Sequence, residues 1–168
     1  MSLFDEEENE SEYRRARKRA MYLLGDKDYC SGELREKLRK NYSDETCEKV
    51  ISDMIEYGYL DDERYAQKYA EYLIRRKKHG VYKVRFEMQK KGIPKALVDS
   101  TLEEYETDDY ADELEELIRK KYSDKLSDPL SVKKVMNALA RRGYSFDEIK
   151  KAIRAVEQSA LDELSYEE

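Results

Sequence analysis

Apolar positions along this chain fall at spacings of three and four, the repeat of one helical face, and the same arrangement returns three times. Tyr42, Ile93 and Tyr144 occupy one slot at intervals of 51 residues. Ahead of it Leu34, Val84 and Val135 align, then Leu38, Met88 and Leu139. Behind it Cys47, Val98 and Ile149 align, then Ile51, Leu102 and Ile153. Self-similarity at a fixed period marks a modular array in which neighbouring units complete one another's cores. Such arrays serve as extended binding surfaces more often than as pockets for chemistry.

Each unit reads as three helices. Ala16, Ala20, Leu23 and Leu24 line the first, and Ala66, Ala70, Leu73 and Ile74 repeat that face at an offset of 50 residues. Ala111, Leu114, Leu117 and Ile118 open the third unit. Ser31 and Ser43 suit helix caps, Asp61 another, and Asp128-Pro129 reads as a cap followed by a first-turn proline. Ser145 and Glu148 have capping-box spacing. Asn41 offers a left-handed helix exit, while Gly58 and Gly92 end helices. The third unit has a longer first connection, 17 residues from Ile118 to Val135 against 10 from Ile74 to Val84. No strand alternation is present. The expected fold is therefore all-α, about nine helices in three triplets: 13–60, 61–106 and 107–158. An acidic disordered tail over 1–12 and an acidic tail over 159–168 flank them.

Composition supports thin helical modules. Of 168 residues, 43% are charged and 39% hydrophobic, with two prolines and six glycines. The net charge of −6 conceals an asymmetry: residues 13–102 hold 22 Lys/Arg against 15 Asp/Glu, and residues 103–168 hold 11 against 18. The basic middle suits an acidic protein surface or a polyanion. Cys30 and Cys47 match no metal or disulfide framework, and Cys47 falls on a core slot. No apolar run reaches membrane-spanning length, and the acidic start lacks the features of a secretory signal. A cytoplasmic location is expected.

Little in the chain suggests catalysis. His79 is the only histidine, so neither a His-based triad nor a poly-His metal site can be assembled. Beside Arg75, Arg76, Lys77 and Lys78 it reads as an exposed helix-end residue. No phosphate-binding or nucleophile-elbow string occurs. The acidic run Asp108, Asp109, Asp112, Glu113, Glu115 and Glu116 spirals around a helix and reads as a solvated face. No catalytic, cofactor or metal residue is expected. Basic clusters are the better clue: Arg14, Arg15, Arg17 and Lys18 crowd the first helix, and Arg75 to Lys78 end the fourth. Cations at a helix C-terminus complement its dipole, but Arg14 and Arg15 sit early in theirs. These eight residues are the candidate partner contacts. Fifteen tyrosines suit half-buried seams and protein interfaces.

Four stretches in order resemble the RecX family of bacterial recombination regulators. They are "SGELREKL" (Ser31–Leu38), "GYLDDERYA" (Gly58–Ala66), "KKHGVYKVRFEMQKKGI" (Lys77–Ile93) and "LARRGYSFDEIKKAI" (Leu139–Ile153). The likeness spans roughly residues 14–157. It departs where the family usually carries a basic stretch before the E-L pattern, since Lys27 and Asp28 stand there. The resemblance implies an elongated, curved array of three three-helix, helix-turn-helix-like repeats without a catalytic site, which binds the RecA–DNA filament in its groove. It implies lowered RecA ATPase, strand-exchange and co-protease activity, hence a place in DNA repair and the SOS response. The expected partner is the RecA nucleoprotein filament, with weak contact to single- or double-stranded DNA, and the chain itself is expected to be a monomer. The rival is a helix-turn-helix DNA-binding protein acting without RecA, which calls for a basic third helix in at least one unit. The stretch "DETCEKVISDMIEY" holds several acids and a single base, against that rival.

Overall fold

The computed structural model describes residues 2–105 and 107–166. Among these residues there are nine α-helices and no strand. The first repeat holds α1 (Leu3–Asp26), α2 (Ser31–Arg39) and α3 (Asp44–Glu56). The second holds α4 (Asp62–Glu71), which runs into a π-helical turn at Tyr72–Arg76, then α5 (Val81–Lys90) and α6 (Lys95–Leu102). In the third, α7 (Thr107–Leu117) continues through a π turn at Ile118–Tyr122 and a 3-10 turn at Ser123–Lys125. It is followed by α8 (Pro129–Arg141) and α9 (Phe146–Tyr166). The extra length of the third unit's connection is thus wound into helical turns. The fold is a tandem array of three-helix repeats.

The slots aligned in sequence are the core. Leu34, Val84, Leu38, Met88, Leu139, Cys47, Val98 and Ile149 are fully buried, and Val135, Ile51, Leu102, Ile153, Ile93 and Tyr144 nearly so. Tyr42 is the exception, half-buried at the edge of the first core. In the first repeat α1 and α2 both pack on α3, closing Ala16, Ala20 and Leu23 over Cys47, Val50, Ile51 and Met54. Burying one large aliphatic side chain contributes roughly 1.5–3 kcal/mol, against about 0–1 kcal/mol for an exposed ion pair. In a chain this rich in charge, the sparse apolar slots therefore carry the fold.

Local chemistry sets the helix ends. Ser43 caps α3 and Asp128 caps α8, accepting from the Thr46 and Ser131 N–H groups at 3.4 and 3.0 Å. Asp61 accepts from the Arg64 N–H at 3.1 Å. Ser145 and Glu148 form the reciprocal capping box at 2.6 and 3.2 Å. Three expectations are corrected. Residues 1–12 are helical from Leu3, because Ser2 and Asp5 make a capping box and the acids that follow lie at the positive end of the dipole. Cys30 rather than Ser31 occupies the cap of α2, and the Ser31 N–H is taken at 2.7 Å by the Asp62 carboxylate. Asn41 does not turn left-handed. The Asn41 and Tyr42 N–H groups both return to the Leu38 carbonyl, and Lys78 (φ 54°) is the sole non-glycine at positive φ among the described residues. The acidic end continues α9 as a helix to Tyr166, exposed over residues 161–165, and Glu167 and Glu168 lie outside the described residues.

The chain divides into two compact units, Met1–Lys68 with Met88–Val98, and Tyr69–Glu87 with Asp99–Glu168. Each contains a joint of the same design, where the start of one repeat's second helix meets the end of the next repeat's second helix. In the first unit the Cys30 Sγ–H donates to the Lys91 carbonyl at 3.1 Å, and Gly32 lies against Gly92. In the other, the Gly80 N–H donates to the Arg142 carbonyl at 2.8 Å, and Gly80 lies against Gly143. A Cβ on Gly80 would sit 2.4 Å from the Gly143 carbonyl oxygen. Gly143 (φ 95°) is confined twice over, since a Cβ there would also meet the Lys83 main-chain nitrogen at 2.5 Å.

Gly143→Ala is therefore expected to cost at least about 3 kcal/mol, from left-handed strain plus a main-chain overlap. Gly58→Ala, at φ 77° with open space around it, is expected to cost only about 1–2 kcal/mol. Urea denaturation of the two variants checks this, and equal losses would contradict the close-approach account.

Candidate partner-binding surface

The α1 cluster is free surface. Arg14, Arg15, Arg17 and Lys18 are all exposed, because the buried face of this helix is made by Ala16, Ala20 and Leu23. Arg14 reaches back one turn to Glu10 at 2.6 Å, an exposed pair of little energetic weight. Arg14, Arg17 and Lys18 border a shallow groove of about 450 Å³ with Tyr13, Met21 and Tyr57. Tyr13 is fixed there by donating to the Asp53 carboxylate, with Lys49 over its ring at 4.5 Å. Nearby, Glu12 ties α1 to α3 by accepting from the Ser43 N–H and the Ser43 and Thr46 hydroxyls at 2.9, 2.8 and 2.5 Å. Those hydrogen bonds, Thr46 foremost, hold the Glu12 carboxyl below its usual range.

The second cluster divides. Arg75 spans Asp109 and Glu113 on α7, both at 2.9 Å. The Lys78 ammonium donates to Glu113 and, at 2.8 Å, to Glu116. Burial alone would lower Lys78, but its bonds to the two carboxylates outweigh it and leave the ammonium raised. Hydrogen bonds to Glu113 and Asp109 likewise raise Arg75. Glu116, bonded to Lys120 and Lys78, is lowered to about 2. Arg75 and Lys78 thus serve the joint of their own unit, whereas Arg76 and Lys77 remain exposed. The acids of α7 are accordingly not simply a solvated face. Asp109, Glu113 and Glu116 form a working stripe, and Glu113 is only 8% exposed. Their spacing of four and three residues was the available signal, missed because the acids beside them blur the pattern.

His79 is half-buried rather than exposed. The π turn carries the chain inward: the Lys77 N–H returns to the Tyr72 carbonyl, left-handed Lys78 reverses direction, and the His79 N–H reaches the Leu73 carbonyl. Its Nδ1 is buried without a partner among the described residues. Burial, then Lys83 and Arg142, depress the imidazole to about 4, against an opposing pull from Glu87. Tyr144 closes the same corner by donating to the Lys78 carbonyl at 3.0 Å, and Arg142 donates to the Lys77 carbonyl at 2.8 Å. Cys30 and Cys47 are buried, and burial raises both thiols, which keeps them protonated and unreactive. Among the described residues no group of His, Cys, Asp and Glu is placed to hold a metal ion, and no helix is long and apolar enough to cross a membrane.

Comparison with known proteins follows the repeats one by one. The family models described as the first, second and third three-helix domains of RecX match residues 16–54, 61–102 and 108–153, in that order. The chain belongs to the RecX family. A regulatory protein RecX from Clostridium acetobutylicum is 30% identical over 154 residues, covering 88% of this chain and 71% of the relative. One from Trichlorobacter lovleyi is 31% identical over 138 residues, covering 78% and 88%. One from Prosthecochloris aestuarii is 36% identical over 100 residues, covering 59% of this chain and 66% of the relative. The crystal structure of RecX from Lactobacillus salivarius shares the fold at a TM-score of 0.78 and 19% identity, over 88% of this chain and 98% of that one. The relatives are named as regulatory proteins, so a RecX-type regulatory role is the coarse function.

Two outcomes test this geometry. Glu113→Ala leaves Arg75 and Lys78 facing a gap, and with Arg75 partly solvated the loss is expected to be about 2 kcal/mol, read as a lowered thermal midpoint. For His79, the unfolded chain takes up a proton below its ordinary value of 6.5 and the folded chain only near 4. Stability should therefore fall as pH drops from 7 to 5, and His79→Gln should flatten that slope. An unchanged slope in the variant would show that His79 is solvated.

Proposed function

We propose that this chain is a non-enzymatic regulator of the RecA recombinase. It binds the RecA–DNA filament in its groove and lowers ATP hydrolysis, strand exchange and co-protease activity, within DNA repair and the SOS response in the cytoplasm. The observation that carries this reading is the ordered match of all three RecX domain models over residues 16–153. The surface is consistent with it, since α1 offers exposed cations beside the exposed Tyr22. A ligand that prefers one filament geometry biases the polymer by its difference in affinity, which needs contacts and no reaction. The candidate contacts are Arg14, Arg15, Arg17, Lys18, Arg76 and Lys77. Arg75 and Lys78 are better explained as supports. The rival, direct DNA recognition without RecA, finds no favouring observation, because α3 remains predominantly acidic.

The test is single-stranded-DNA-stimulated ATP hydrolysis by RecA in the presence of substoichiometric chain. Turnover should fall, and the quadruple change of Arg14, Arg15, Arg17 and Lys18 to Glu should raise the amount required by at least about fivefold at moderate salt. The difference between wild type and variant should shrink as salt rises, since exposed charges are screened. RecA turnover indifferent to the wild-type chain would reject the function. Equal potency of wild type and variant, with the fold intact by circular dichroism, would reject the α1 contacts.

A further inference from the structure

The first helices of the three repeats align slot by slot in sequence. Their buried faces align Ala16 with Ala66 and Tyr110, Ala20 with Ala70 and Leu114, and Leu23 with Leu73 and Leu117. In the same register a second stripe reads Arg15, Tyr65 and Asp109, then Arg19, Tyr69 and Glu113, then Tyr22, Tyr72 and Glu116. In the third repeat this stripe is a docking face, and in the second its first residue docks while Tyr72 stays exposed. Tyr65 donates to Glu33 of the preceding repeat at 3.1 Å. Asp109, Glu113 and Glu116 receive Arg75 and Lys78. Tyr65, Asp109 and Glu116 are half-buried there and Glu113 is buried. In the first repeat Arg15, Arg19 and Tyr22 are all exposed. Arg15 and Arg19 make no ion pair among the described residues, and Arg19 lies over the Tyr22 ring at 5.4 Å. The charge at these slots is opposite in sign to that on α7.

We propose that this stripe of α1 is a repeat-docking face turned outward, and that it takes an acidic helix of a partner protein bearing carboxylates at i, i+4 and i+7. Two observations favour a protein helix over a phosphate backbone. The equivalent face on α7 is engaged by cations from the end of a neighbouring helical element, so the geometry is already that of a helix-to-helix joint. The stripe also sets two guanidinium groups one turn apart with the Tyr22 hydroxyl a turn beyond them, three donors that match three carboxylates in helical register, as the Tyr65 hydroxyl meets Glu33. Where RecA is the partner, this inference rests on the proposed function and adds that the α1 contact is to protein.

The probe is a fluorescein-labelled, alanine-based helical peptide with Glu at i, i+4 and i+7, followed by anisotropy. Its control has the same composition with the carboxylates spread around the helix. The ordered peptide should bind the full chain at least about fivefold more tightly than the control. Arg15→Glu with Arg19→Glu should abolish that preference and transfer it to a Lys-bearing peptide of the same register. Lys150→Glu with Arg154→Glu, an exposed pair of equal spacing on α9, should leave it intact. No preference for register, or equal loss in both double variants, overturns the proposal. So does displacement of the ordered peptide by oligo-dT of equal charge, which would make the stripe a phosphate site. Light scattering that shows a dimer lost in the Arg15/Arg19 variant also overturns it, since a second copy would then be the occupant. If wild-type chain leaves RecA turnover unchanged, the proposed function fails, while the peptide preference still decides this inference.

Discussion

Two main-chain carbonyls, those of Lys91 and Arg142, anchor the joints on which the array depends. Each receives a donor from the start of the preceding repeat's second helix, and each requires two backbones to approach with no Cβ between them. Apolar slots close each three-helix bundle, but they do not say which side of a bundle faces the next. The close approach does, and charges confirm it. Glu33 accepts from Lys91 at 3.0 Å and from Tyr65 in one unit, and Arg75 and Lys78 meet the α7 acids in the other. Residues within a charged sequence are thereby sorted into those that hold the fold and those left for other molecules.

That sorting shapes the functional reading. The two basic clusters have nearly the same composition, yet Arg75 and Lys78 are bound into a joint while α1 is open. A stretch of four cations at a helix C-terminus can arise simply from the requirements of the neighbouring helix. Four exposed cations in the middle of the 24-residue α1, far from either end of its dipole, have no such internal explanation. A regulator that acts by contact alone needs this kind of unspent surface, and needs it on an element whose other face is firmly packed, as Ala16 and Ala20 are.

The repeats were legible because helical periodicity and a fixed interval reinforce one another, so that Leu34, Val84 and Val135 match from the sequence alone. Caps at Ser43, Asp61, Asp128 and Ser145 were legible because their chemistry is local. Errors fell where a partner distant in sequence intervened. Ser31 looked like a cap because nothing nearby reveals Asp62. His79 looked exposed because its four cationic neighbours hide a left-handed turn at Lys78 that swings it inward. The opening acids looked like a tail because low hydrophobicity is shared by disordered segments and by exposed helix ends, and only the Ser2–Asp5 cap separates them. Partner chemistry was the least legible, since one sequence shows that charges cluster but not which of them are already neutralised.

The joints also bear on how such a chain changes over time. A close approach of two backbones is indifferent to most side chains, so it places strict demands on a few positions and almost none on the remainder. Drift can then rewrite the outer faces of the helices, including those that select a partner, while leaving the seams untouched. A relative with only 19% identity that keeps the same fold is what such an economy of constraint allows.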